Sequence, residues 1–367
     1  MKILIDIPST GWSTTKMWAN ILPKINQAEN VDLSVLLGND MDSIRLENLL
    51  INYGVKCRKR FISQNFRPAR VQWFFEDLFS GVYSYSGKFD VFHSSTVRTP
   101  YFGKWKKCIT IHDTIREIFP SEFGEANKYI LKIRQNAVLR SDRILTVSEY
   151  SKKCILEIFN VSSEKIFVSY HGVNRIPIKS IYPNHQTNKT FSKYPFPYVL
   201  FVGNRSGYKN FNILPKALIS NQDLKEVHLL IVGGGKLTEH ENEYIKKLGL
   251  SGRYKHFIDI DEDVLHELYK NALVFVYPSK MEGFGLPILE SQSFGCPVIA
   301  SNTGPLPEVA GNGALYFDPD DYNQLSQLIE TLLNSFKRKE LVVFGYKNLE
   351  KFSWQNSADT IINMYLS

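Results

Sequence analysis

Cysteine is scarce in this chain: its 367 residues hold four, Cys57, Cys108, Cys154 and Cys296, spaced far apart. That spacing argues against a disulfide scaffold or a cysteine-based metal site, and reduced thiols in a cytoplasmic setting are the expected state. Also lacking is any run of about 18 uninterrupted apolar residues, so no membrane-spanning helix is expected. The amino-terminal MKILIDIPS meets Asp6 after three apolar residues and reads as a first strand, not a leader. After that strand neither G-x-G-x-x-G nor the acid that would hold a ribose follows, which argues against a nicotinamide oxidoreductase.

What is present suits two domains of ordinary size, each with a full core, since apolar residues make up 43% of the chain. Net charge is +7 but unevenly placed: residues 1–190 hold 27 Lys+Arg against 17 Asp+Glu, and residues 191–367 hold 17 against 20. The basic half suggests an anionic partner. Its cations gather in two clusters with aromatic rings. One is Lys56, Arg58, Lys59, Arg60, Arg67 and Arg70, followed by Trp73, Phe74 and Phe75; the other is Tyr101, Phe102, Lys104, Trp105, Lys106 and Lys107. Charges beside rings suit peripheral contact with the anionic inner membrane, and no nucleic-acid motif accompanies them. A solvated face over core aromatics fits the same residues.

Strand-like and helical stretches alternate from Met1, which argues for α/β architecture with a doubly wound parallel sheet. The spacing predicts strands at 2–7, 32–37, 90–94, 107–112, 143–148 and 165–170, with helices at 12–26, 122–140 and 149–159. Residues 172–197, rich in Pro, Asn, Ser and Thr, form a linker, and a second set of strands begins at Tyr198.

The stretch Tyr277–Ser291, YPSKMEGFGLPILES, carries the strongest chemical signal. An apolar strand empties into a loop with Glu282, Gly283, Phe284 and Gly285; Leu286 and Pro287 then open a helix that holds Glu290 in its second turn. Amide groups at a helix start attract anions, and glycines let a backbone approach closely, so the stretch is a seat for phosphate. Two carboxylates there accept bonds from hydroxyls rather than touch phosphate. A nucleotide sugar offers diols at both ends of a diphosphate. Arg205 and Lys209, in GNRSGYKNF, are the cations expected at that diphosphate, with solvated loop charges as the other reading. Glycines after two further strands, Gly203 and Gly233 of Gly233-Gly234-Gly235, suit close approach to ligand or to each other's loop.

At Glu282-GFGLPIL-Glu290, two glutamates with seven residues between them, the chain resembles the retaining GT-B glycosyltransferases of family 4. The resemblance implies two Rossmann-like domains facing across a cleft: an acceptor domain (1–180), a linker (181–196) and a nucleotide-sugar domain (197–351). The final helix (352–367), anchored by Trp354, would return to the first domain. It implies a GDP- or UDP-sugar donor, no cofactor and no metal. Glu282 would orient the sugar, Glu290 the ribose, Ile258 and its loop the base, and Arg205 and Lys209 would hold the leaving phosphate. His112, in IHD at a strand end, would reach the donor sugar; a histidine closing a strand against Asp113 is the plainer reading. Gly11 is a donor-site candidate as well as an ordinary turn glycine. GNRSGYKNF is similar to that stretch in bacterial mannosyltransferases, which implies mannose and a lipid-linked or saccharide acceptor. A nucleotide-sugar epimerase of the same architecture, or a membrane-associated binding protein without turnover, would share these features. The acids at 259–263 and 318–321 are expected to cap helices and turns.

Overall fold

A computed structural model describes residues 1–8, 11–60, 78–84, 86–96, 98–100, 103–174 and 194–367, with Trp12 and Ser13 by backbone alone. The chain forms two compact units, Met1–Gly172 with Ser353–Ser367, and Val173–Phe352.

The first unit carries seven parallel strands: β1 (Lys2–Ile7), β2 (Asp32–Leu37), β3 (Lys56–Lys59), β4 (Val91–Ser94), β5 (Lys106–Ile111), β6 (Arg143–Thr146) and β7 (Ile166–Val168). Their order, β3-β2-β1-β4-β5-β6-β7, is that of a doubly wound sheet. Because helices cover both faces, β1 is buried from Ile3 to Ile7. The helix Trp12–Asn26 turns Met17, Trp18, Ile21, Leu22 and Ile25 into the core, where they meet Trp354, Ala358, Ile361, Met364 and Tyr365 of the closing helix Trp354–Leu366. Gly172 passes so close to Trp354 that a Cβ there would lie 2.2 Å from the Trp354 backbone nitrogen.

The closing helix is fastened by a buried polar chain. His93 on β4 bonds the Tyr365 hydroxyl through Nδ1 (2.6 Å) and the Thr110 hydroxyl through Nε2 (2.8 Å). Burial, helped by nearby His112, pushes the His93 pKa down to about 3. Above pH 6.5 the ring is neutral folded or unfolded. Below that the unfolded chain takes a proton that the folded one refuses, so stability falls as pH drops from about 6.5 towards 3. At pH 5 the loss from His93 is about 2 kcal/mol. Urea titrations at pH 7 and pH 5 check this: His93→Phe should show a pH-dependent drop smaller than the parent's by roughly that amount. Equal drops would refute the assignment.

The basic clusters change character in the fold. Lys56, Arg58 and Lys59 lie on the edge strand β3, where Lys56 pairs with Asp32 (2.6 Å) and Lys59 with Glu47 (3.0 Å). Arg60 is no surface cation: it is buried, and its guanidinium pairs with buried Asp6 and reaches Ser80 (3.2 Å). Trp105 is likewise a core ring, packed with Leu4, Leu36 and Phe92. Lys106 donates to the Tyr365 carbonyl (2.8 Å). Arg67, Arg70, Trp73, Phe74, Phe75, Tyr101 and Phe102 lie outside the described residues, as do 181–193 of the expected linker.

The second unit carries six parallel strands: β8 (Tyr198–Val202), β9 (His228–Val232), β10 (Tyr254–Phe257), β11 (Val274–Tyr277), β12 (Val298–Ser301) and β13 (Ala314–Phe317), in the order β10-β9-β8-β11-β12-β13. Two apolar clusters line the faces of this sheet, one around Val199, Leu229 and Val274 and the other around Leu200, Leu230 and Phe275, as side chains alternate along the strands. Asp321 caps the helix Tyr322–Thr331, as its sequence suggests. A new helix, Ser335–Asn348, follows it, its N-cap Asn334 accepting from the Phe336 and Lys337 amides.

Candidate functional site

In an open parallel sheet, ligands bind beyond the carboxyl ends of the strands, where the strand order reverses. In the second unit that point lies between β8 and β11, and their following loops carry GNRSGYKNF and the PSKMEGFG turn. The loops are tied together: the Lys280 amide donates to the Tyr208 carbonyl (2.7 Å), while Ser301 and Thr303 hydroxyls donate to the Ser279 carbonyl (2.7 and 3.2 Å).

Across this junction Lys209 Nζ meets Glu282 Oε1 at 2.6 Å. Both are largely sheltered, their side chains 14% and 9% exposed, so the pair is scarcely screened. Lys209 Nζ also sits 5.4 and 5.6 Å from the ring centres of Tyr208 and Tyr277. Burial pushes the Tyr277 phenol well above its ordinary range, and the adjoining Glu282 carboxylate adds to the shift. Sequence reading treated Tyr277 only as the end of an apolar run, and no spacing rule would have marked its hydroxyl.

The helix Leu286–Ser293 follows. Gly285 occupies its N-cap at φ +108°, with Pro287 in the first turn; it has no side-chain cap and no acid in that turn. Its positive end is therefore not offset by its own residues. Phe284 and Leu286 are buried, and Glu290 is half-buried on the helix. Gly203, at φ +138°, has open space where a Cβ would stand, whereas a Cβ on Gly233 would lie 3.6 Å from the Gly203 carbonyl oxygen. The two loops thus touch. Ile258, 38% exposed, follows β10.

Arg205 differs from expectation. Its Nε donates to Glu241 (2.7 Å), Nη1 to the Gly233 carbonyl (2.9 Å), and Nη2 to the carbonyls of Gly234 (3.1 Å) and Lys236 (3.0 Å). With the side chain 4% exposed, the guanidinium faces into the glycine turn. The sequence shows a cation on the loop but not the carbonyls that face it. Burial alone would raise the Glu241 carboxyl, yet bonds from Arg205 and Thr238 hold it below the ordinary carboxylate range.

Two expected residues belong to the first unit. His112 follows β5, and burial lowers its pKa against opposing effects of Asp113 and a Ser95 backbone bond; its buried Nε2 has no hydrogen-bond partner among the described residues. Gly11 is the exposed N-cap of the helix Trp12–Asn26 at φ −92°, a conformation open to any residue. Among the acids at 259–263, Asp261 stands at an N-cap without a side-chain bond, and Glu262 and Asp263 fill the first turn. Among the described residues no three His, Cys, Asp or Glu side chains converge as metal ligands.

Comparisons with known proteins bear on the family and the fold. Residues 185–348 match the family described as Glycosyl transferases group 1, and residues 27–175 match Glycosyltransferase Family 4. The chain is 29% identical over 250 residues to O-antigen chain mannosyltransferase B of Escherichia coli, covering 65% of this chain and 64% of that protein. It is 31% identical over 228 residues to O-antigen chain mannosyltransferase RfbU of Salmonella typhimurium, covering 61% and 60%. The match therefore spans less than two thirds of either mannosyltransferase. Among solved structures, Anabaena HepE in complex with UDP and glucose superposes over all of both chains with a TM-score of 0.73 at 18% identity. WaaG, a glycosyltransferase involved in lipopolysaccharide biosynthesis, superposes over 99% of both with a TM-score of 0.71 at 13% identity. The fold is thus GT-B, and with both family matches covering most of its length the chain belongs to the family 4, group 1 glycosyltransferases.

Proposed function

We propose that the protein is a retaining hexosyltransferase that moves mannose from GDP-mannose to a saccharide or lipid-linked acceptor in bacterial surface polysaccharide synthesis. The observation that carries the reading is the sheltered Lys209–Glu282 pair beside the unoffset start of the helix Leu286–Ser293. The named activities of the two mannosyltransferase relatives support the choice of sugar.

In the proposed reaction the acceptor oxygen forms a bond to the anomeric carbon as the bond to the diphosphate oxygen breaks. The electron pair stays on the diphosphate, and the acceptor proton leaves with it. Lys209 and the helix start stabilise that growing charge, the kind of preorganised contact that contributes most to many catalysed reactions. They supply the positive charge without a metal. Glu282 orients sugar hydroxyls, Glu290 accepts from the ribose diol, and the Ile258 loop borders the base. Gly203, Gly233, Gly283 and Gly285 allow close approach of backbone, with Phe284, Leu286 and Pro287 shaping the seat.

Contact with the inner face of an anionic membrane is part of the proposal. Exposed Met41, Ile51 and Tyr53, beside the cationic strand β3, support it.

A thermal-shift panel of UDP, GDP and their sugars, followed by a turnover assay in EDTA, tests the reading. GDP and GDP-mannose should raise the melting temperature, with mannosyl transfer persisting in EDTA. Glu290→Gln should weaken nucleotide binding by roughly tenfold, the worth of one charge-assisted hydrogen bond. No shift with any nucleotide would exclude the assignment.

A further inference from the structure

Gly233, Gly234 and Gly235 are successive left-handed residues, at φ +84°, +73° and +68°. In such a turn the carbonyl groups point one way, and here they converge on one guanidinium. Arg205 donates to the carbonyls of Gly233, Gly234, Gly235 (3.4 Å) and Lys236, and to Glu241. Glu241 is fixed in turn by the capping box with Thr238 that starts the helix Glu239–Lys247. At its middle residue the turn is tight: a Cβ on Gly234 would lie 2.5 Å from Arg205 Nη1 and 3.0 Å from both Asn204 Cα and the Gly203 carbonyl oxygen. His256 adds a contact from β10, its Nε2 lying 3.0 Å from the Gly233 carbonyl.

We propose that Arg205 is a positioning residue: it holds the triple-glycine turn in the shape that receives the nucleoside end of the donor, and does not bind the leaving diphosphate. This rests on the function proposed above. Lys209 and Glu282 mark the phosphate and sugar end beyond β8 and β11, while the glycine turn lies beyond β9, the next strand outward, ahead of β10. A nucleotide extending from the phosphate seat in that direction meets the turn first. Its neighbours Gly203 and Ile258 lie on the loops to either side.

Arg205→Lys and Glu241→Gln separate the two possible roles, because Glu241 belongs to the turn's support and not to a phosphate site. Isothermal titration with UDP and GDP, together with steady-state kinetics, should show both variants losing nucleotide affinity by about tenfold, roughly the worth of one well-made hydrogen bond. The loss should lie in KM more than in kcat, and Glu241→Gln should reproduce Arg205→Lys. If Arg205→Lys fails to fold, Glu241→Gln alone carries the test. Wild-type affinity in Glu241→Gln, whatever Arg205→Lys does, would overturn the positioning role while leaving the glycosyltransferase reading intact. A parent protein that binds neither nucleotide would overturn both.

Discussion

Replacing Lys209 by alanine is expected to lower kcat by about 10²–10³-fold, the usual effect of removing one preorganised donor from a developing anion. Lys209 is sheltered and held 2.6 Å from Glu282, so its charge acts where water screens it little. The substitution also leaves the Glu282 carboxylate, 7% exposed, with the Tyr277 phenol in place of a cation. Removing one partner of a buried pair costs roughly 3–5 kcal/mol, so a fall in melting temperature should accompany the loss of rate. The double variant Lys209→Ala, Glu282→Gln separates the effects: the melting temperature should recover in part, and kcat should not. Lys209→Ala with near-parental turnover would show that the pair is structural only.

Arg60→Leu should destabilise the first unit by roughly 3–5 kcal/mol, a drop of about 10 °C in its melting temperature. Arg60 and Asp6 are 6% and 4% exposed, and losing the guanidinium leaves a carboxylate buried beside Ser80. Adding Asp6→Asn should restore part of the loss, because an amide tolerates burial better than an uncompensated charge. A melt of Arg60→Leu within roughly 2 °C of the parent would contradict the buried pairing and return Arg60 to the surface charges.

Arg60 also shows where the sequence stops being informative. In KCRKR the charges hide a strand, since β3 is an edge strand of four residues with no alternating apolar face, and nothing in the spelling separates the arginine that turns inward. Trp105 reads equally well as an interfacial ring or a core ring until Leu4, Leu36 and Phe92 are found against it. Longer signals were clear: β1 and β2 are apolar runs, the helix Trp12–Asn26 repeats apolar residues every three to four positions, and both fall where periodicity puts them. The turn at 282–285 and the helix start after it were legible because the glycines and proline each have a conformational reason to stand in that order. The Lys209–Glu282 bond was not, since it joins residues 73 positions apart. Nor was the orientation of Arg205, because only folding brings the carbonyls of residues 233–236 around it.

The most direct measurement is the position of the diphosphate in a crystal of the protein grown with GDP. The phosphate oxygens should lie about 3 Å from Lys209 Nζ and from amides at the start of the helix Leu286–Ser293. A nucleotide bound with its diphosphate remote from both would contradict the account.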